Sequence, residues 1–113
     1  MNEHRRNKRK SVDVPIEVTN AMTGGTIGRI GNVSVDGMML IAYSPVRDDA
    51  LYQFSFLLPD SNGGHAIEVG MHEQWTEQTG GAGQYWAGFR IIDISPEDHQ
   101  RLTEWVEADD EHH

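Results

Sequence analysis

Two short runs carry the residue types that can hold an anion or read a base edge. The first is Arg5-x-x-x-Arg9, with Arg6 between the pair and Lys8 and Lys10 beside it. The second is Asn32-Val33-Ser34-Val35-Asp36-Gly37, an N-x-S-x-x-G pattern. Guanidinium is planar, permanently charged and carries a rigid fork of N–H donors. It bridges phosphate oxygens, pairs with two acceptors on a purine edge and stacks on a ring face. Two arginines on one arm can therefore clamp charge and base together. Asn32 and Ser34 stand two apart, and on an extended segment such residues project to one face. Gly37 lets a ligand come close to the backbone, where a side chain would block it. Each run alone also has an ordinary reading: a solvated basic terminus, and a polar turn with its glycine at positive φ.

Other chemistries find less to work with. There is no cysteine, which excludes disulfides and thiolate sites. His4, His65, His72, His99, His112 and His113 show no metal-ligand spacing on any one element. Ser34 is the serine inside a glycine-bearing motif, yet no nucleophile elbow with a following helix surrounds it. Gly25, Gly28 and Gly31 recur along a strand and do not open a helix as a phosphate loop does. No acid–base or nucleophile constellation is visible, so the expectation is a binding protein and not an enzyme.

The elements that must position these runs read as short strands. Val12, Val14, Ile16 and Val18 alternate with Asp13, Pro15, Glu17 and Thr19, which predicts a half-buried strand with an edge or bulge at Pro15. Gly24-Gly25 turns the chain into a second strand over 26–33, and a third spans 38–42. Tyr52, Phe54, Phe56 and Leu58 alternate in a fourth; Ile67, Val69 and Met71 open a fifth; the sixth spans 85–94. Turn-forming clusters at 59–64 and 80–83 separate the last three. Ser95 is a good N-cap, Pro96 suits the first helical position, and Leu102, Trp105 and Val106 make the apolar stripe of a helix over 96–108. Phe54, Phe56, Tyr52, Trp86 and Phe89 read as core and face packing, and Trp105 as core.

Bulk properties fit one small domain. The chain has 113 residues, 37% apolar and patterned too regularly for a disordered segment. No apolar run approaches a membrane span, and a cytoplasmic protein without membrane insertion is the expectation. The net charge of −9 is unevenly spread: five cations against Glu3 give the first ten residues +4, which leaves −13 on the other 103. An acidic body repels nucleic-acid backbones, so neither DNA nor RNA is an expected partner. The basic arm can still hold one small anion, because screening confines charge effects to about 10 Å.

In this order and setting, the two runs resemble the signature of the PilZ domain family, R-x-x-x-R before the first strand and D/N-x-S-x-x-G after the second. Arg9-Lys10-Ser11-Val12-Asp13-Val14-Pro15 is similar to the family's run into strand one, and Trp75 matches a frequent tryptophan position. Gly88-Phe89-Arg90-Ile91-Ile92-Asp93 followed by a capped helix is similar to its closing segment. The resemblance covers residues 5–106. It implies an all-β fold with one C-terminal helix, a six-stranded antiparallel β-barrel over 11–108, preceded by a flexible basic arm over 1–10 and followed by a tail over 109–113. It also implies cyclic di-GMP as ligand and no cofactor. By motif position Arg5 and Arg9 are the signature arginines, Arg6 a helper, Asn32, Ser34 and Gly37 the floor, and Trp75 an additional contact. Two departures stand out: Arg6-x-x-x-Lys10 offers a second register, and His72-Glu73-Gln74 is unusually polar.

The expected role is a second-messenger sensor in which ligand orders the basic arm and creates a surface for a downstream protein partner; oligomeric state stays open. An adaptor of the same fold that binds no nucleotide is the alternative, and retention of both motifs favours the sensor. A small-barrel binder of single-stranded nucleic acid is a third reading, against which the acidic body argues.

Overall fold

The computed structural model describes residues 9–12, 14–59, 64–79 and 83–108. Among these residues seven strands precede one helix: β1 (Lys10–Ser11), β2 (Glu17–Asn20), β3 (Thr26–Ser34), β4 (Gly37–Ala42), β5 (Leu51–Leu58), β6 (His65–Gln78), β7 (Tyr85–Ile94) and α1 (Pro96–Glu107). Six of them close into an antiparallel barrel in the order β2–β3–β4–β7–β6–β5 and back to β2. β1 extends the same edge of β3 beyond β2, pairing Lys10 with Val33 and Ser11 with Asn32.

The stretch over 12–18 departs from one continuous strand. The Val12 amide donates to the Gly31 carbonyl and the Ile30 amide to the Ile16 carbonyl, so the chain is tied to β3 on both sides of a gap. Pro15 lies in that gap, has no N–H to give the ladder, and leaves neighbouring Val14 53% exposed. Ile16 and Val18 still reach the core.

Elsewhere alternation does its work. Val18, Leu40, Phe54, Val69 and Ala87 point inward from five different strands, and Phe54 packs edge-on to Phe89 with ring centroids 4.9 Å apart. The helix forms where its capping residues stand: Ser95 Oγ accepts from the Asp98 amide at 3.1 Å, and Pro96 occupies the first turn. Leu102 and Val106 are fully buried, whereas Trp105 is half-buried and Trp86 is 46% exposed on the outer face. Gly24, Gly64 and Gly83 stand at positive φ, a conformation that glycine adopts without steric cost.

Two bulges decide which residues leave the core. Ile30 pairs with Leu40 but Asn32 with Met39, so Gly31 is the extra residue in β3. Ile30 faces in, and without that insertion Asn32 and Ser34 would face in as well. With it, Val33 takes the inward place, Asn32 turns to the outer side, and Ser34, though fully buried, meets Arg9 and Asp36 there. The second bulge lies between Glu73 and Trp75 in β6. Met71 and Glu73 are buried, and one extra residue sends Trp75 outward against Gly88.

Candidate functional site

The outer face over the β3–β4 turn is organised around Ser34. Its side chain is fully buried, and its hydroxyl donates to Asp36 Oδ1 at 2.7 Å. Arg9 reaches the same point from the residue before β1: its Nε donates to Asn32 Oδ1 at 2.7 Å and its Nη1 to Ser34 Oγ at 3.3 Å. The guanidinium is thereby steered by two neutral acceptors and keeps further donors for a ligand. The Asp36 carbonyl accepts from the Ile91 amide at 2.8 Å, which fixes the turn to β7. Neighbouring Lys10 takes a different direction, its Nζ lying 4.8 Å over the Trp105 ring on α1.

Gly37 is not one of the positive-φ glycines of the described residues. Its requirement is steric: a Cβ there would meet the Phe89 carbonyl oxygen at 2.5 Å, so glycine is what lets β4 and β7 lie this close. Gly88 on β7 is in a similar position, since a Cβ on it would run into the indole of its cross-strand partner Trp75. The indole covers this strand glycine and remains 45% exposed on its other side. Together these features leave a shallow groove of about 230 Å³ bordered by Arg9, Gly37, Met39, Trp75, Gly88 and Arg90.

Of the expected site residues, Arg9, Asn32, Ser34, Gly37 and Trp75 are brought to one face. Arg5 and Arg6 lie outside the described residues, as do most of the arm and the tail over 109–113; Lys10, expected at the end of the arm, is already paired in β1. Sequence reading passed over Asp36, Arg90 and Gly88. Asp36 sits inside the quoted motif, and the alternation of Ala87, Phe89 and Ile91 was enough to turn Gly88 and Arg90 outward. Glu73 was also missed: it is 2% exposed, and its carboxylate accepts from the Asp49 amide at 2.6 Å and from the Thr76 hydroxyl. Among the described residues no cluster of His, Cys, Asp or Glu has the makings of a metal site, and no helix is long and apolar enough to cross a membrane.

The architecture has counterparts. The model of the PilZ domain matches residues 3–108. No curated protein matches the chain. Among solved structures, the Bacillus subtilis inhibitor of motility MotI/DgrA superposes with a TM-score of 0.76 at 13% identity, over 95% of this chain and 51% of that one. YcgR from Escherichia coli, in complex with c-di-GMP, gives 0.70 at 17% identity over 92% of this chain and 45% of its own. The K. pneumonia MrkH–c-di-GMP complex gives 0.68 at 15% identity, over 92% and 51%. The chain thus spans about half the length of these three proteins.

Proposed function

We infer that this chain, which belongs to the PilZ domain family, is a cyclic di-GMP-binding sensor domain that acts by binding and not by catalysis. The observation that carries this reading is the convergence of Arg9 on Asn32 and Ser34, at the lip of a groove with an exposed indole. Cyclic di-GMP presents two phosphodiester charges and two guanine bases in one compact ring. Arginine addresses the charges and base edges, the indole offers a stacking surface, and Asn32 carries an amide suited to polar base atoms. The c-di-GMP complexes of YcgR and MrkH, of the same fold, support the choice of ligand. Titration calorimetry tests it: cyclic di-GMP gives saturable heat and outcompetes GTP and GMP. No heat at high micromolar ligand would remove the nucleotide and leave the adaptor reading in its place.

The output is a change in the basic arm. Residues 1–8 bring Arg5, Arg6 and Lys8, and after Met1 no apolar side chain to anchor them by burial. Ordering them costs about 1–2 kcal/mol of backbone entropy per residue, and repulsion among the cations adds to that. Exposed ion pairs to the acidic body return only about 0–1 kcal/mol each. A doubly anionic ligand between arm and barrel supplies the missing contacts, and the ordered arm then offers a surface to a downstream protein. Trypsin cuts after Arg5, Arg6 and Lys8 quickly in the free protein and much more slowly with cyclic di-GMP. Equal rates at saturation would mean that the arm is not the switch.

A further inference from the structure

The signature residues occupy one lip of the groove, and an unassigned cation occupies the other. Arg90 is exposed, borders the groove, and pairs across the sheet with Gly37 on one side and His72 on the other. Gly37 has no side chain to crowd it. His72 is engaged elsewhere, its Nε2 lying 2.6 Å from Asp49 Oδ1. Among the described residues no hydrogen bond or ion pair engages the Arg90 guanidinium. Arg29 and Arg47 also stand on the surface but do not border the groove.

The direction of Arg90 follows from Gly88. The Cβ position of Gly88 points straight at the Trp75 indole, so the indole lies on the outer face of β7 over that residue. Arg90 is two residues further along the strand, on the same face and about 7 Å away. A base stacked on the free side of the indole presents its edge sideways, within the span of an arginine side chain rooted there. We propose that Arg90 is a specificity-determining residue of this site, donating bidentately to O6 and N7 of a guanine stacked on Trp75; the proposal rests on the cyclic di-GMP reading above. The guanidinium fork fits the two acceptors of that edge, whereas adenine offers a donor in place of O6. Arg90 stands on a barrel strand, so this contact does not wait for the arm to order.

The test pairs a residue with a ligand atom. Cyclic di-GMP and its 7-deaza analogue, which lacks the N7 acceptor, are titrated calorimetrically into the wild-type chain, Arg90→Ala and Arg90→Lys, with Arg29→Ala as control. Arg90→Ala weakens cyclic di-GMP by about tenfold or more, and Arg29→Ala leaves it unchanged. The analogue binds the wild type roughly fivefold or more weakly than the parent, and this penalty vanishes in Arg90→Ala. Arg90→Lys retains the charge but not the fork, so it too loses the penalty while holding more affinity than alanine. An equal penalty in wild type and Arg90→Ala, or none in the wild type, overturns the assignment while the ligand reading stands. No heat from cyclic di-GMP with the wild type overturns the ligand reading itself, and this one with it.

Discussion

The two faces of β7 are built from opposite materials. On the inner face Ala87 and Phe89 are buried, opposite Leu40 and Met38 of β4 and close to Phe54. On the outer face stand Gly88 and Arg90, with Gly37 to one side and the Trp75 indole to the other. The inner face is filled to close packing; the outer one carries two glycines and is bordered by Arg9 and Arg90, with Asp36 between the motif serine and Gly37. Filling sets stability, because apolar surface is removed from water on folding. Glycines and charges there contribute little to stability and leave a concave surface for something else to fill. On the proposed reading, the same strand serves the fold with one parity of its residues and recognition with the other.

Substitutions on each face can break that division. Phe54→Ala, at the centre of the aromatic cluster, costs about 3–5 kcal/mol in urea unfolding, while the folded fraction keeps its affinity for cyclic di-GMP. Arg9→Ala does the reverse: affinity falls about ten- to a hundredfold, equivalent to roughly 1.5–3 kcal/mol, and unfolding free energy stays within about 0.5 kcal/mol. Asn32→Ala, which removes a neutral acceptor that steers Arg9, gives a smaller loss of affinity in the same titration. If Arg9→Ala and Phe54→Ala each lowered stability and affinity in parallel, the two faces would not be separable.

What the sequence disclosed follows the same division. Inward positions obey a simple period, so β7 was legible at 85–94, and the helix over 96–108 ends only one residue early, with Ala108 as its C-cap. The closed barrel and its six principal strands were legible for the same reason. Period fails where one residue is inserted. Nothing in the pattern marked Gly31 or the step between Glu73 and Trp75 as bulges, yet these two turn Asn32 and Trp75 to the outer face. The polar run before Trp75 looked like a departure from the family; Glu73 within it is in fact buried and bonded to the 49–50 loop through the Asp49 amide and its own amide. Pro15 was recognised as a break, but alternation around it overstated the burial of Val14. Gly37 was legible as a constrained position: of its two readings, a left-handed turn fails, because its φ is not positive, and the close approach the structure displays is that of β7.

The most direct measurement of the central claim is a titration of the ¹⁵N-labelled chain with cyclic di-GMP, followed by amide and indole chemical shifts. The groove account predicts large shifts at Arg9, Ser34, Gly37, Gly88, Arg90 and the Trp75 indole N–H, with β2 and β5 on the far side of the barrel nearly silent. Shifts concentrated on β2 and β5, or none anywhere at saturating ligand, would contradict it.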